Sequence, residues 1–156
     1  MKKILASCVL LSLVVVQTAT ALDVGPFASR WHHKDGDAVW GGGVLLLPAT
    51  LPIEFRGTFY ERSDTGTLQA SPFDFGLAFG LTRFESFKIF ASGGGSYYLV
   101  DAKRSSPDNK FGWYAGGRVE VPTQQNFAVF GEALYRGVKL DDADFSGFSF
   151  QLGILF

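Results

Sequence analysis

Phe148-Ser149-Phe150-Gln151-Leu152-Gly153-Ile154-Leu155-Phe156 sets an apolar side chain at every second position back from its last residue. Side chains of a strand alternate between two faces. Phe148, Phe150, Leu152, Ile154 and Phe156 therefore share one face, and Ser149, Gln151 and Gly153 the other, with Leu155 the one apolar residue on the polar parity. An aromatic-rich strand without a polar tail is an adhesive edge unless something pairs it and covers its apolar side. A closed barrel in lipid does both.

Working back from this strand, the same period of two recurs in segments separated by Gly, Pro, Asn, Asp or Ser clusters. Ile53, Phe55, Gly57 and Phe59 alternate with Glu54, Arg56, Thr58 and Tyr60. Phe73, Phe75, Leu77, Phe79 and Leu81 alternate with Asp74, Gly76, Ala78 and Gly80. Phe111, Trp113, Ala115, Val119 and Val121 oppose Tyr114, Gly116, Arg118 and Glu120. Phe127, Val129, Ala133 and Tyr135 oppose Ala128, Glu132 and Arg136, although Phe130 and Leu134 fall on the polar side. Phe87 and Ile89 oppose Lys88, after which Gly93-Gly94-Gly95 weakens the parity and marks a bulge or kink. The stretches 23–31 and 38–47 read as strands whose facing the pattern leaves open.

The expected strands are 22–31, 38–47, 52–62, 67–81, 86–101, 110–121, 127–139 and 145–156. Connections after the second, fourth and sixth are short, while those after the first, third, fifth and seventh are richer in charge, Gly, Ser and Asp. Short turns on one rim and polar loops on the other are the arrangement of outer-membrane barrels, with the short turns periplasmic. The final nine residues also resemble the C-terminal strand of bacterial outer-membrane barrels, in which a terminal Phe after alternating apolar residues is read by the barrel-assembly machinery. For the rest of the chain the resemblance, to small eight-stranded barrels of the OmpA/OmpX type, rests on patterning. It implies a fold, an all-β eight-stranded antiparallel up-and-down transmembrane barrel, and a membrane, without implying an activity.

The other end agrees. Lys2 and Lys3 precede a 13-residue apolar run, Ile4 to Val16, and Ala19-Thr20-Ala21 has the small-x-small form of a signal-peptidase site. Residues 1–21 are read as a removed secretory signal and 22–156 as the barrel domain, since the run falls short of the roughly 20 residues a membrane helix needs. Leu5-Ala6-Ser7-Cys8 has the look of a lipoprotein site, but only Ile4 and Leu5 separate Ala6 from the lysines, too few for a hydrophobic core before the cut. Loss of Cys8, the one cysteine, excludes disulfides and cysteine chemistry from the mature chain. Loss of Lys2 and Lys3 from the 14 basic residues leaves 12 against 15 acidic, a formal charge of −3 with no basic block for nucleic acid. The longest aliphatic run left is Val44 to Leu47, so the mature chain has no helix that could cross a membrane.

Alternation alone does not say which face is inside. A soluble secreted barrel that binds a ligand has an apolar lumen and a polar exterior. Sixteen Phe, five Tyr and three Trp would crowd a lumen of that size, whereas Glu54, Arg56, Asp74, Lys88, Arg118, Glu120, Glu132 and Arg136 suit a mutually neutralising interior network. Eight strands leave an interior just wide enough to be filled by its own side chains. The expected protein is therefore a plugged, non-conducting, monomeric barrel of the outer membrane, without cofactor or metal and not an enzyme, acting structurally or through its outward loops. Its partners would be outer-membrane lipids, lipopolysaccharide and the assembly machinery.

One alternative keeps chemistry in view. Some barrels of this size are acyltransferases or deacylases of the outer leaflet that combine His with Ser and an acid, and His32 and His33 stand in the first outward loop beside Asp35 and Asp37. Ser63, Ser105, Ser106 or Ser146 would supply the nucleophile, although no spacing joins any of them to a histidine. Lys103, Arg104 and Lys110 of the third loop are placed to meet lipopolysaccharide phosphates.

Overall fold

The computed structural model describes residues 22–34, 38–61, 68–102, 109–123, 127–140 and 143–156. The expected signal and several loop residues, Asp35, Asp37, Ser63, Lys103, Arg104, Ser105 and Ser106, lie outside them. The strands are β1 (Leu22–His33), β2 (Val39–Pro48), β3 (Ile53–Tyr60), β4 (Leu68–Arg83), β5 (Lys88–Ala102), β6 (Lys110–Pro122), β7 (Ala128–Gly137), the two-residue β8 (Lys139–Leu140) and β9 (Ala143–Asp144), and β10 (Gly147–Leu155). Eight of them close one antiparallel up-and-down barrel in the order β1-β10-β7-β6-β5-β4-β3-β2, and β8 pairs with β9 as a separate hairpin. The seam is β1 against β10, from Phe27 opposite Gly153 to His33 opposite Gly147. Beyond it Phe156 and Val24 exchange backbone hydrogen bonds of 2.9 and 3.1 Å.

The two faces sort cleanly, and the polar one turns inward. Glu54, Arg56, Asp74, Arg118, Glu132, Arg136, Ser149 and Gln151 are buried, while Phe55, Phe73, Phe75, Leu77, Phe79, Trp113, Phe150, Leu152 and Ile154 are exposed. A soluble ligand barrel requires the opposite, so that alternative loses its footing. Ring contacts run round the outer wall below the loops, with centroids 5.0 Å apart for Tyr97–Phe111, 5.6 Å for Trp113–Tyr135 and 5.2 Å for Tyr135–Phe148.

The facing of β1 and β2 is settled by packing. Phe27 and Trp31 are buried in the lumen with Leu45, and a side chain at Gly43 would strike the Phe27 ring. Gly43 thus lies under an inward aromatic, which selects one of the two phases its glycine run allows. Two strand prolines sit where a missing N–H is tolerated: Pro72 lies one residue past the β3–β4 ladder, which ends at Gly57 opposite Phe73, and Pro26 one residue past the β1–β10 ladder.

Two expectations need correction. Pairing of β5 runs unbroken through Gly93, Gly94 and Gly95 on both sides, and the register shift falls in β4, between Gly80 and Thr82. The seventh and last barrel strands are also shorter than expected, because Lys139–Leu140 and Ala143–Asp144 pair with each other as β8 and β9 instead of continuing the wall. Val138 and Phe145, which flank that pair, pack onto the inward cluster of Trp31, Val39, Tyr60, Ala70 and Tyr98.

Candidate functional site

The lumen is built in layers. At the rim carrying the short turns, Phe27, Leu45, Phe130 and Leu155 pack together with Leu47 and Ala128. Phe130 and Leu134, on the polar parity of β7, are fully buried there and above. At the loop rim the Trp31–Tyr60–Tyr98 cluster closes over the middle, with ring centroids 5.2 Å (Trp31–Tyr60) and 6.1 Å (Trp31–Tyr98) apart. Just beneath it the hydroxyls of Ser29, Tyr60 and Ser149 form a triangle with sides of 2.8, 2.9 and 3.1 Å.

Between these layers lies the charge network. Arg136 grips Asp74 with two parallel bonds, Nη1 to Oδ1 and Nη2 to Oδ2, both 2.8 Å. Arg56 reaches three carboxylates: Glu132 at 2.6 Å, Asp74 at 3.3 Å and Glu54 at 3.5 Å. Arg118 donates to Glu54 at 3.0 Å and through Nε to Glu120 at 2.9 Å, and lies 3.8 Å from Glu132. Neutral donors complete the shell: Ser96 to Asp74 at 2.6 Å, Ser92 to Glu132 at 3.1 Å and Tyr114 to Glu54 at 2.9 Å. Tyr114 crosses the lumen to do so because Gly76 has no side chain; a Cβ there would collide with the phenol oxygen. Ion pairs this deep are tolerable when both desolvated partners are hydrogen-bonded, and here every carboxylate is met by an arginine, while Arg56 Nε and Arg136 Nε are buried with no hydrogen-bond partner among the described residues.

Seven of the eight expected charges meet in this network. Lys88 stands apart: half-buried at the turn rim and opposite Glu120 in the β5–β6 register, it makes no ion pair among the described residues. It lines a cleft of about 330 Å³ with Gly80, Leu81, Thr82, Arg83 and Phe90. The cleft meets the Phe90 ring, over which the Arg118 guanidinium lies at 5.0 Å. Of the network's neutral members, Ser92 and Ser96 escaped sequence reading, and Tyr114 was placed on the polar parity of its strand but not among the network residues. Phe148, Phe150, Leu152, Ile154 and Phe156 all face outward and are exposed.

The two histidines point to opposite sides of the wall. His32 is exposed on the outside, edge-on to Phe150 at 6.3 Å, while His33 packs between Trp31 at 5.3 Å and Phe145 at 5.0 Å. Ser146, the one candidate serine among the described residues, is held against Val138: its Oγ accepts from Val138 N at 3.2 Å and lies 3.4 Å from Val138 O. The hairpin is tied down by Lys34 Nζ, 3.2 Å from Asp144. Hydrogen bonds from the Ser146 side chain and backbone, with Lys34 beside them, hold the Asp144 carboxyl at about 2. No cluster of three or more metal-ligating side chains occurs among the described residues.

Among the described residues, one cation of the barrel strands is on the apolar side. Arg30 is exposed on the outer wall between Trp40 and Phe150, its in-register neighbours, with its guanidinium 5.0 Å from the Trp40 ring and no ion pair among the described residues. In a lipid-facing strand an arginine costs about 2–4 kcal/mol at the midplane and about 0–1 near the interface.

No protein-family model matches the sequence, and no curated protein matches it. Among solved structures, the N-terminal β-barrel domain of Pseudomonas aeruginosa OprF superposes with a TM-score of 0.57 at 15% identity, over 87% of this chain and 96% of that domain. The de novo designed TMB2.3 gives a TM-score of 0.48 at 15% identity, over 87% and 92%. Ail, the attachment invasion locus protein of Yersinia pestis, gives 0.48 at 16%, over 86% and 95%. At these identities the likeness is one of fold, and it supports the resemblance to small eight-stranded barrels of the OmpA/OmpX type.

Proposed function

We propose that the mature chain is an integral outer-membrane β-barrel with a plugged, non-conducting lumen, acting structurally or through the surface around its loop rim, lipopolysaccharide contact included. The observation that carries this reading is the inversion of polarity: seven ionisable side chains are buried inside while the outer wall is mostly Phe, Leu, Val, Ile and Trp. In water such a wall would aggregate, whereas in a bilayer it is the solvated surface, and the aromatic contacts near the loops suit the membrane interface. Closure of β1 on β10 leaves no unpaired edge in the hydrocarbon.

Expressed with residues 1–21 in a diderm host, the protein is expected in the outer-membrane fraction, with mobility in detergent gels that shifts on boiling and a mature chain beginning at Leu22. Recovery as a soluble periplasmic protein would overturn the reading, and a lipid-blocked Cys8 would overturn the assigned cleavage.

A further inference from the structure

We propose that Arg30 and His32 form a binding site on the outer wall for the phosphate of an outer-leaflet lipid, a lipopolysaccharide. The site rests on the outer-membrane reading, because that reading places the loop rim in the outer leaflet. Three observations converge on it. Arg30 is a guanidinium without an ion-pair partner among the described residues, on a wall where its in-register neighbours, Trp40 and Phe150, are both aromatic and exposed. Its plane is held by Trp40 at 5.0 Å, which leaves its N–H edge to bond an external acceptor. His32, two residues nearer the loop rim and so on the same face, adds an imidazole N–H donor against Phe150.

The wall below the cation is shaped for the rest of such a lipid. Ala28 pairs with Gly42 across β1–β2, and this low pair is flanked in register by Leu152 on one side and Phe59 on the other. An acyl chain lying between those two larger side chains would bring its head group to Arg30. A phosphate is the chemistry that fits, since the planar donor fork of arginine matches two phosphate oxygens and its charge needs compensation where water is scarce.

The test uses the folded mature barrel in phosphatidylcholine nanodiscs, with retained lipid read by native mass spectrometry. Three probes are compared: bisphosphorylated lipid A, enzymatically dephosphorylated lipid A and phosphatidylglycerol. The wild type is expected to retain one bisphosphorylated lipid A in preference to the other two. Arg30→Leu should lower that retention about tenfold, the worth of one charge-assisted contact, and Arg30→Lys should restore part of it. Arg83→Leu, at the opposite rim, should change nothing. Equal retention by Arg30→Leu would mean that Arg30 merely stretches to water, and the site would be abandoned; equal retention of dephosphorylated lipid A or of phosphatidylglycerol would also overturn it. Failure of the wild type to insert into nanodiscs at all would instead sink the membrane reading, so the two failures are distinguishable.

Discussion

At the scale of single residues, the pair of bonds between Arg136 and Asp74 concentrates the fold's electrostatic risk. Removing one partner strands a charge where no water reaches, so Asp74→Asn or Arg136→Met is expected to cost about 3–5 kcal/mol. The double variant Asp74→Leu/Arg136→Met should recover much of that loss, because the desolvation penalty goes with the charges. Urea unfolding of the barrel in lipid vesicles measures both. Asp144 behaves differently because it is held outside the wall. Its carboxyl is depressed to about 2 from an ordinary 3.8, so its contribution to holding the β8–β9 hairpin is complete above about pH 4 and is lost as the pH falls through 2. An NMR titration of Asp144 should show that midpoint, and Ser146→Ala, which removes the hydroxyl that contributes most to the depression, should move it back up toward 3.8.

At the scale of elements, β10 carries the most information. Leu152 faces outward and is 65% exposed, while its neighbour Gln151 is buried. Leu152→Arg is therefore expected to destabilise the barrel in bilayers by about 2–4 kcal/mol if it lies near the midplane, and to be close to neutral in detergent, where the head group finds water. Equal effects in the two media would argue against lipid contact at this strand. Phe156 exchanges backbone hydrogen bonds with Val24 and is 52% exposed. Deleting it should therefore cost less than the about 1.5–3 kcal/mol of a fully buried Phe. A chain without Phe156 should refold in detergent yet accumulate poorly in the outer membrane of cells; equal accumulation would remove the recognition role expected of that residue.

At the scale of the whole molecule, the lumen decides what the barrel passes. An apolar layer at the turn rim, a charge network in the middle and an aromatic cluster roofed by Phe145 at the loop rim follow one another along the axis. Planar-bilayer recordings are expected to show no stable porin-sized steps, and such steps would require a wider assembly than eight strands enclose.

The strand count, the up-and-down order and seven of the eight charges read as an interior network, all but Lys88, were legible in the sequence, because a period of two with Phe on one parity and Glu or Arg on the other has one reading once lipid is the solvent. Phe130, Leu134 and Leu155 looked like errors of parity, and they are the residues that pack at or above the turn rim. Sequence carried no instruction about which acid meets which base, since Arg56 and Glu132 stand 76 residues apart and touch only when the barrel closes. The facing of β1 and β2 was likewise undecided until Phe27 packed over Gly43, and Arg30 passed unnoticed because its parity depends on that choice. Local alternation determines which residues share a face, and the paired charges on one face say that it is the inner one; the tertiary structure alone determines which side chains meet across the lumen, because those contacts exist only after closure.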